Sequence, residues 1–257
     1  MPRGRRRSSA LRWLARAIAL VLLCSLGGCY WRVAREPMPF LTYGDLGPQR
    51  ARGVIVMLPG FGGGAEDFDE YGFVRVLRKS APGFDLVAAD AHFGYYQNNT
   101  LVDQLHKSVI GPLVARGYRA VWVVGVSMGG HGAIAYARNY PERIKGVLLF
   151  APYLGPNDVD DSVSQAGGIC RYTAPDPVPT SPAGYAEANF AWLRDVLCTT
   201  PGKVSVWVSV GNKDEGKRTL LRDAMEPDHY IVLPGGHDWD AWTPALERIA
   251  QTALGAN

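Results

Sequence analysis

Five residues, Gly125-Val126-Ser127-Met128-Gly129, constrain this chain more than any other stretch. They follow an apolar run at 120–124 and precede a helix-compatible stretch at 130–139. Strand, sharp turn and helix is the context in which G-x-S-x-G carries chemistry. The turn holds a serine in a strained conformation at a strand end, and the flanking glycines remove the Cβ atoms that would clash. The hydroxyl then stands clear of the backbone. The start of the following helix offers N–H groups to a developing anion.

The rest of the chain reads as strands alternating with helices. Continuous apolar runs at 54–58, 85–89, 120–125, 146–151, 204–210 and 230–233 predict strands covered on both faces. A short edge strand is expected at 40–43. Helical patterns occupy the stretch up to about residue 80, then 101–115, 130–139, 184–198 and 239–254. This order implies an α/β fold with a mostly parallel central sheet and helices on both faces. Right-handed crossovers bring the C-terminal strand ends to one edge, where ligands bind. With 257 residues, 47% of them hydrophobic, the chain suffices for one sizeable domain, assigned to 51–257. Residues 152–183 interrupt the pattern with six prolines, at 152, 156, 175, 177, 179 and 182. So long a connection reads as a lid-like insertion.

Serine is a poor nucleophile without a base to take its proton. Of five histidines, His106 and His131 fall inside helix patterns, and His229 sits at the start of a strand, the wrong edge. His92 follows a strand and is a candidate pocket residue. His237 follows the last strand within Pro234-Gly235-Gly236-His237-Asp238-Trp239, where the glycines permit a turn that aims the ring back over the sheet. It is the expected base. Asp214, just after the strand at 204–210, is the expected acid that fixes the base's tautomer. Asp158, Asp160, Asp161 and Glu215 are its rivals, while Asp238 and Asp240 suit a helix cap and first turn. An oxyanion needs two donors. Met128 N–H, directly after the serine, and Phe61 N–H, in the loop after the strand at 54–58, are the candidates. Gly60–Gly64 lacks the lysine and Ser/Thr of a phosphate loop.

Ser127, Asp214 and His237, in that order, resemble the α/β-hydrolase fold family over about residues 51–257. The stretch Gly235–Trp242 is similar to the esterase branch that includes S-formylglutathione hydrolases, feruloyl esterases and mycolyltransferases. Pro59 stands where many members have histidine, a departure that bears on Phe61 and not on Ser127. The resemblance implies a serine hydrolase acting on an acyl bond, with a small-molecule acyl substrate and no cofactor. An acyltransferase using the same residues, and a non-catalytic surface module, are the alternatives.

The N-terminus carries a different message. Residues 1–28 hold six arginines and no acid, and an apolar run fills 17–26. A basic region, a short apolar region and small residues describe a secretory signal, too short to span a bilayer comfortably. An uncleaved anchor helix is the other reading. Leu26-Gly27-Gly28-Cys29 resembles the bacterial lipobox, which implies cleavage before Cys29, acylation there, and a membrane-anchored exported protein. Tyr30 after that cysteine favours the outer membrane if the source is Gram-negative. Residues 29–50 read as a tether with an edge strand. Without the six arginines, 21 basic and 24 acidic residues remain, a net of −3, and no nucleic-acid footprint is left. Cys170 and Cys198 form an even pair suited to a disulfide in an oxidising compartment, or two separate thiols. Neither has zinc-type spacing to histidine, so no metal site is expected.

Overall fold

The computed structural model describes residues 32–45, 47–177 and 181–255. The stretch at 1–28 read as a secretory signal, and Cys29, lie outside the described residues. Seven strands form one sheet in the order β1-β3-β2-β4-β5-β6-β7. They are β1 (Phe40–Tyr43), β2 (Gly53–Leu58), β3 (Phe84–Ala89), β4 (Val121–Val126), β5 (Ile144–Phe150), β6 (Ser205–Gly211) and β7 (Tyr230–Leu233). All neighbours pair parallel except β1, which runs antiparallel to β3 at the edge. β2 is buried at every position. Its unbroken apolar run follows from helices covering both faces of the sheet. The core accordingly splits into two clusters, one on each face, with Val54 and Val56 in one and Ile55 and Met57 in the other. That division is the period-2 alternation of a strand.

The main helices are α1 (Phe73–Ser80), α2 (Leu101–Leu105, continued by a π turn at His106–Ile110 and by Gly111–Ala115), α3 (Met128–Asn139), α4 (Asn157–Gln165), α5 (Pro182–Arg194) and α6 (Trp239–Ile249). The helical pattern expected up to residue 80 is split. A one-turn helix at Asp67–Glu70 is separated from α1 by Tyr71 and by Gly72, whose φ of 85° is left-handed. α6 starts on Asp238, whose side chain accepts from Ala241 N–H at 3.1 Å, the cap expected of it.

The described residues 152–177 of the insertion form a packed segment. α4 and a single 3₁₀ turn at Ile169–Arg171 lie within it. Leu154, Val159, Val163, Ile169 and Tyr172 are buried in the core cluster on that face. The prolines fall outside α4, so this helix was free to form. A disulfide joins Cys170 to Cys198, tying the 3₁₀ turn to the π turn at Asp195–Thr199 that continues α5. The stretch read as a tether is likewise held, from Arg32 onward, against the domain. Arg32 pairs with Asp90. Arg35 N–H donates to Tyr95 Oη, which donates in turn to Arg35 C=O. Met38 is buried, and its N–H donates to Ser108 Oγ. Its backbone groups find partners, so the segment follows the surface instead of standing off it. Among the described residues no helix is long and apolar enough to cross a membrane.

Candidate active site

Ser127 stands between β4 and α3 with φ 51° and ψ −114°, a region costly for a residue with a Cβ. Crowding imposes it. A Cβ on Gly125 would overlap the Gly129 carbonyl oxygen, and one on Gly129 would overlap the carbonyl oxygen of Leu58 at the end of β2. The turn therefore packs so tightly against two strands that only glycine fits on either side. Ser127 N–H donates to Phe150 C=O at 2.8 Å, and Ser127 C=O accepts from Tyr153 N–H at 2.8 Å. Both backbone groups are pinned and the side chain points outward.

The loops after β6 and β7 are cross-linked by their own backbones. Asn212 N–H donates to Leu233 C=O at 2.8 Å and Lys213 N–H to Gly235 C=O at 3.0 Å. Gly235 N–H donates to Asn212 Oδ1 at 3.1 Å. This clamp sets Asp214 beside His237. His237 Nδ1 lies 2.6 Å from Asp214 Oδ2, and His237 Nε2 lies 2.9 Å from Ser127 Oγ. A carboxylate only accepts, so Nδ1 carries the proton. Nε2 is then an acceptor, and the serine O–H donates to it. A hydroxyl, an imidazole and a carboxylate so linked can move a proton off the serine as it attacks and stabilise the imidazolium that forms. Trp242 sits edge-on to the imidazole, ring centroids 5.0 Å apart, and fixes its tilt.

The rival acids lie elsewhere. Asp158, Asp160 and Asp161 are on α4. Glu215 pairs with Arg222. His92 does not open into the site. It is buried and caps the helix at Phe93–Gln97, its Nδ1 accepting from Gly94 N–H at 3.2 Å. Burial first, then the Arg32 charge, lowers its pKa. His106 stacks on Tyr140 and His229 on Trp207. His131, on α3, faces Tyr153 at 5.7 Å between centroids. Burial, with a smaller push from Arg138, lowers its pKa to about 4, so the ring is neutral at pH 7.

Met128 is the first residue of α3, where N–H groups have no acceptor within the helix. The loop carrying Phe61 approaches from the other side, with a Cβ on Gly60 3.4 Å from Ser127 Cβ. The Phe61 ring is exposed and sits edge-on to Phe93 at 4.7 Å. One residue escaped the sequence reading. Arg218 Nη1 donates to Asp214 Oδ1 at 3.1 Å and to Asp214 C=O at 2.7 Å, while its Nε donates to Pro152 C=O at 3.1 Å. Its i, i+4 spacing from Asp214 was the available signal. A cavity of about 590 Å³ lies behind this segment, between Gly167–Arg171 and Thr219–Ala224, and holds none of Ser127, Asp214 and His237. Among the described residues no group of three or more His, Cys, Asp or Glu side chains is placed to hold a metal.

Sheet order, turn and site together define an α/β-hydrolase fold. A family model described as "Putative esterase" matches residues 83–253, and the chain belongs to this esterase family. The chain is 37% identical over 110 residues to a 2-hydroxy-6-oxo-6-phenylhexa-2,4-dienoate hydrolase of Burkholderia cepacia, a match covering 38% of this chain and 36% of that one. It is 34% identical over 124 residues to the protein of that name in Comamonas testosteroni, covering 44% and 40%. The chain thus spans well under half the length of these curated relatives. Among solved structures, the S-formylglutathione hydrolase of Staphylococcus aureus aligns with a TM-score of 0.55 at 13% identity, covering 87% of this chain and 98% of that one. Est1E of Butyrivibrio proteoclasticus gives 0.55 at 14%, covering 86% and 96%. At such identities the likeness is one of fold.

Proposed function

We propose that this protein hydrolyses carboxylic esters through Ser127, His237 and Asp214 by way of an acyl-enzyme. The observation that carries the reading is the unbroken run of contacts from Asp214 through His237 to Ser127, at 2.6 and 2.9 Å. Ser127 Oγ attacks the acyl carbon as His237 Nε2 takes the hydroxyl proton. The tetrahedral oxyanion lies against the N–H groups of Met128 and Phe61. The ester bond breaks and the alcohol leaves with the proton from His237. Water then gives a proton to the same nitrogen and attacks the acyl carbon; the bond to Ser127 Oγ breaks as His237 returns that proton to it, freeing the carboxylic acid and restoring Ser127. Cys29 anchors the exported chain to a membrane through acyl groups. A fluorophosphonate reacts with a serine activated in this way. Wild-type protein is expected to take the label and Ser127→Ala to take none; equal labelling of the two would refute the assignment.

Arg218 holds the carboxylate that holds the base, so it acts by position. Arg218→Ala is expected to lower kcat on a soluble 4-nitrophenyl ester about tenfold, the scale of one charge-assisted contact of about 1.5 kcal/mol, with KM little changed. Arg218→Lys is expected to recover part of the loss. A kcat within twofold of wild type for the alanine variant would remove Arg218 from this role.

A further inference from the structure

Of the large hydrophobic side chains exposed among the described residues, Leu41 is 38% exposed on the edge strand β1 opposite Ala88, and the others lie toward one end of the sheet. Val33 is 81% exposed, Phe61 50%, Tyr71 43% and Tyr153 36%, and each is tied to the loops at the C-terminal edge of the sheet that carries Ser127 and His237. Phe61 follows Gly60, which faces Ser127. Tyr153 N–H bonds the Ser127 carbonyl. Tyr71 stacks on Trp239 at 4.9 Å, and Trp239 packs on Trp242 beside the His237 imidazole. Val33 follows Arg32, which pairs with Asp90 at the end of β3 and approaches Gly64 of the Phe61 loop. The exposed Phe40 of β1 lies opposite Ala89, at the same end. Apolar side chains gathered on one rim mark an interaction surface, whereas single ones need no explanation.

The chain's path says what meets that surface. Cys29 precedes Arg32 by three residues, so its thiol has a reach of roughly 10 Å from a residue fixed at this rim. Tyr30 and Trp31, between them in sequence, are types that favour the membrane interface. An anchor at Cys29, or an uncleaved apolar helix ending just before it, brings the bilayer to the same place.

We infer that the rim formed by Val33, Phe61, Tyr71 and Tyr153 docks on the surface of a lipid bilayer, so that Ser127 faces the membrane and draws amphiphilic acyl esters from it. The inference rests on the acyl hydrolysis proposed above and extends it to a substrate class. An anchor chain and an apolar patch are two signals that together hold what either alone holds weakly. Glu66, Asp69 and Glu70 are exposed beside Tyr71, so a zwitterionic surface fits better than an anionic one.

The test uses the full anchored chain reconstituted in phosphatidylcholine vesicles. An environment-sensitive fluorophore on Val33→Cys is expected to brighten and shift to the blue on vesicle addition. The same label on Lys203→Cys, exposed in the turn before β6, is expected to stay unchanged. A second readout compares a soluble short-chain 4-nitrophenyl ester with a long-chain one held in the vesicles. The double variant Val33→Glu, Tyr71→Glu is expected to keep soluble turnover within twofold and to lose about tenfold on the vesicle-borne ester. Docking is overturned if the two labels respond alike, if the label at 33 responds to protein concentration without vesicles (a second copy), or if the double variant loses nothing on vesicles. Failure of wild type on both esters, with the Val33 label still responding, would instead overturn the hydrolysis reading and leave the docking intact.

Discussion

Alanine at position 127 is expected to lower kcat/KM for short acyl esters by on the order of 10⁴ to 10⁶. In the mechanism proposed above Ser127 Oγ supplies the bond-forming atom, so removing it removes the step itself. A residual rate above water is expected, since the oxyanion donors proposed at Met128 and Phe61 remain. Stability is expected to move little. The Ser127→Ala variant keeps the Cβ and the strained φ of 51°, and only an outward-pointing hydroxyl is removed. A thermal midpoint within a few degrees of wild type separates this from misfolding. Retention of a tenth of the wild-type rate would mean another nucleophile.

The second large effect concerns folding. Gly129→Ala is expected to cost about 3 kcal/mol or more, lowering Tm by roughly 6–12 °C. A methyl there would overlap the Leu58 carbonyl oxygen and sit 2.7 Å from that of Pro59. Both are backbone atoms of the strand and loop that approach Ser127, so relief must come from moving the turn itself. Gly202→Ala is the control for conformational cost alone. Gly202 has φ 85° and open space around a Cβ, so about 1 kcal/mol is expected there. Equal losses at the two positions, read by thermal denaturation, would show that crowding at the turn is not what demands glycine.

The turn also explains why so much was legible. Gly125 answers to Gly129 and Gly130 of its own turn and Gly129 to Leu58 and Pro59 of the neighbouring strand and loop, but all the residues so constrained fall within one five-residue stretch, where a sequence displays them. The strands β2, β3, β4, β5 and β6 were legible for a related reason. Burial on both faces forces unbroken apolar runs, and their bounds shift by no more than two residues between expectation and structure. His237 and Asp214 were findable because each follows a strand and so reaches the same edge. What stayed hidden depends on partners remote in sequence. Arg218 makes its contact with Pro152 across 66 residues. Arg32 meets Asp90 across 58. The packing of α4 was obscured by the prolines that flank it, because composition averages over a segment while a helix needs only nine suitable residues. The grouping of Val33, Phe61, Tyr71 and Tyr153 on one rim is a property of topology that no window of sequence displays.

In the proposed reaction Ser127 becomes acylated and is then freed by water, and rapid mixing with excess 4-nitrophenyl acetate follows both steps. The expected trace is a burst of about one 4-nitrophenolate per chain followed by a slower steady rate. Protein quenched during the burst is expected to carry one acetyl group on the peptide containing Ser127. A linear release from the first milliseconds, with the acetyl group absent or on another residue, would contradict that reaction.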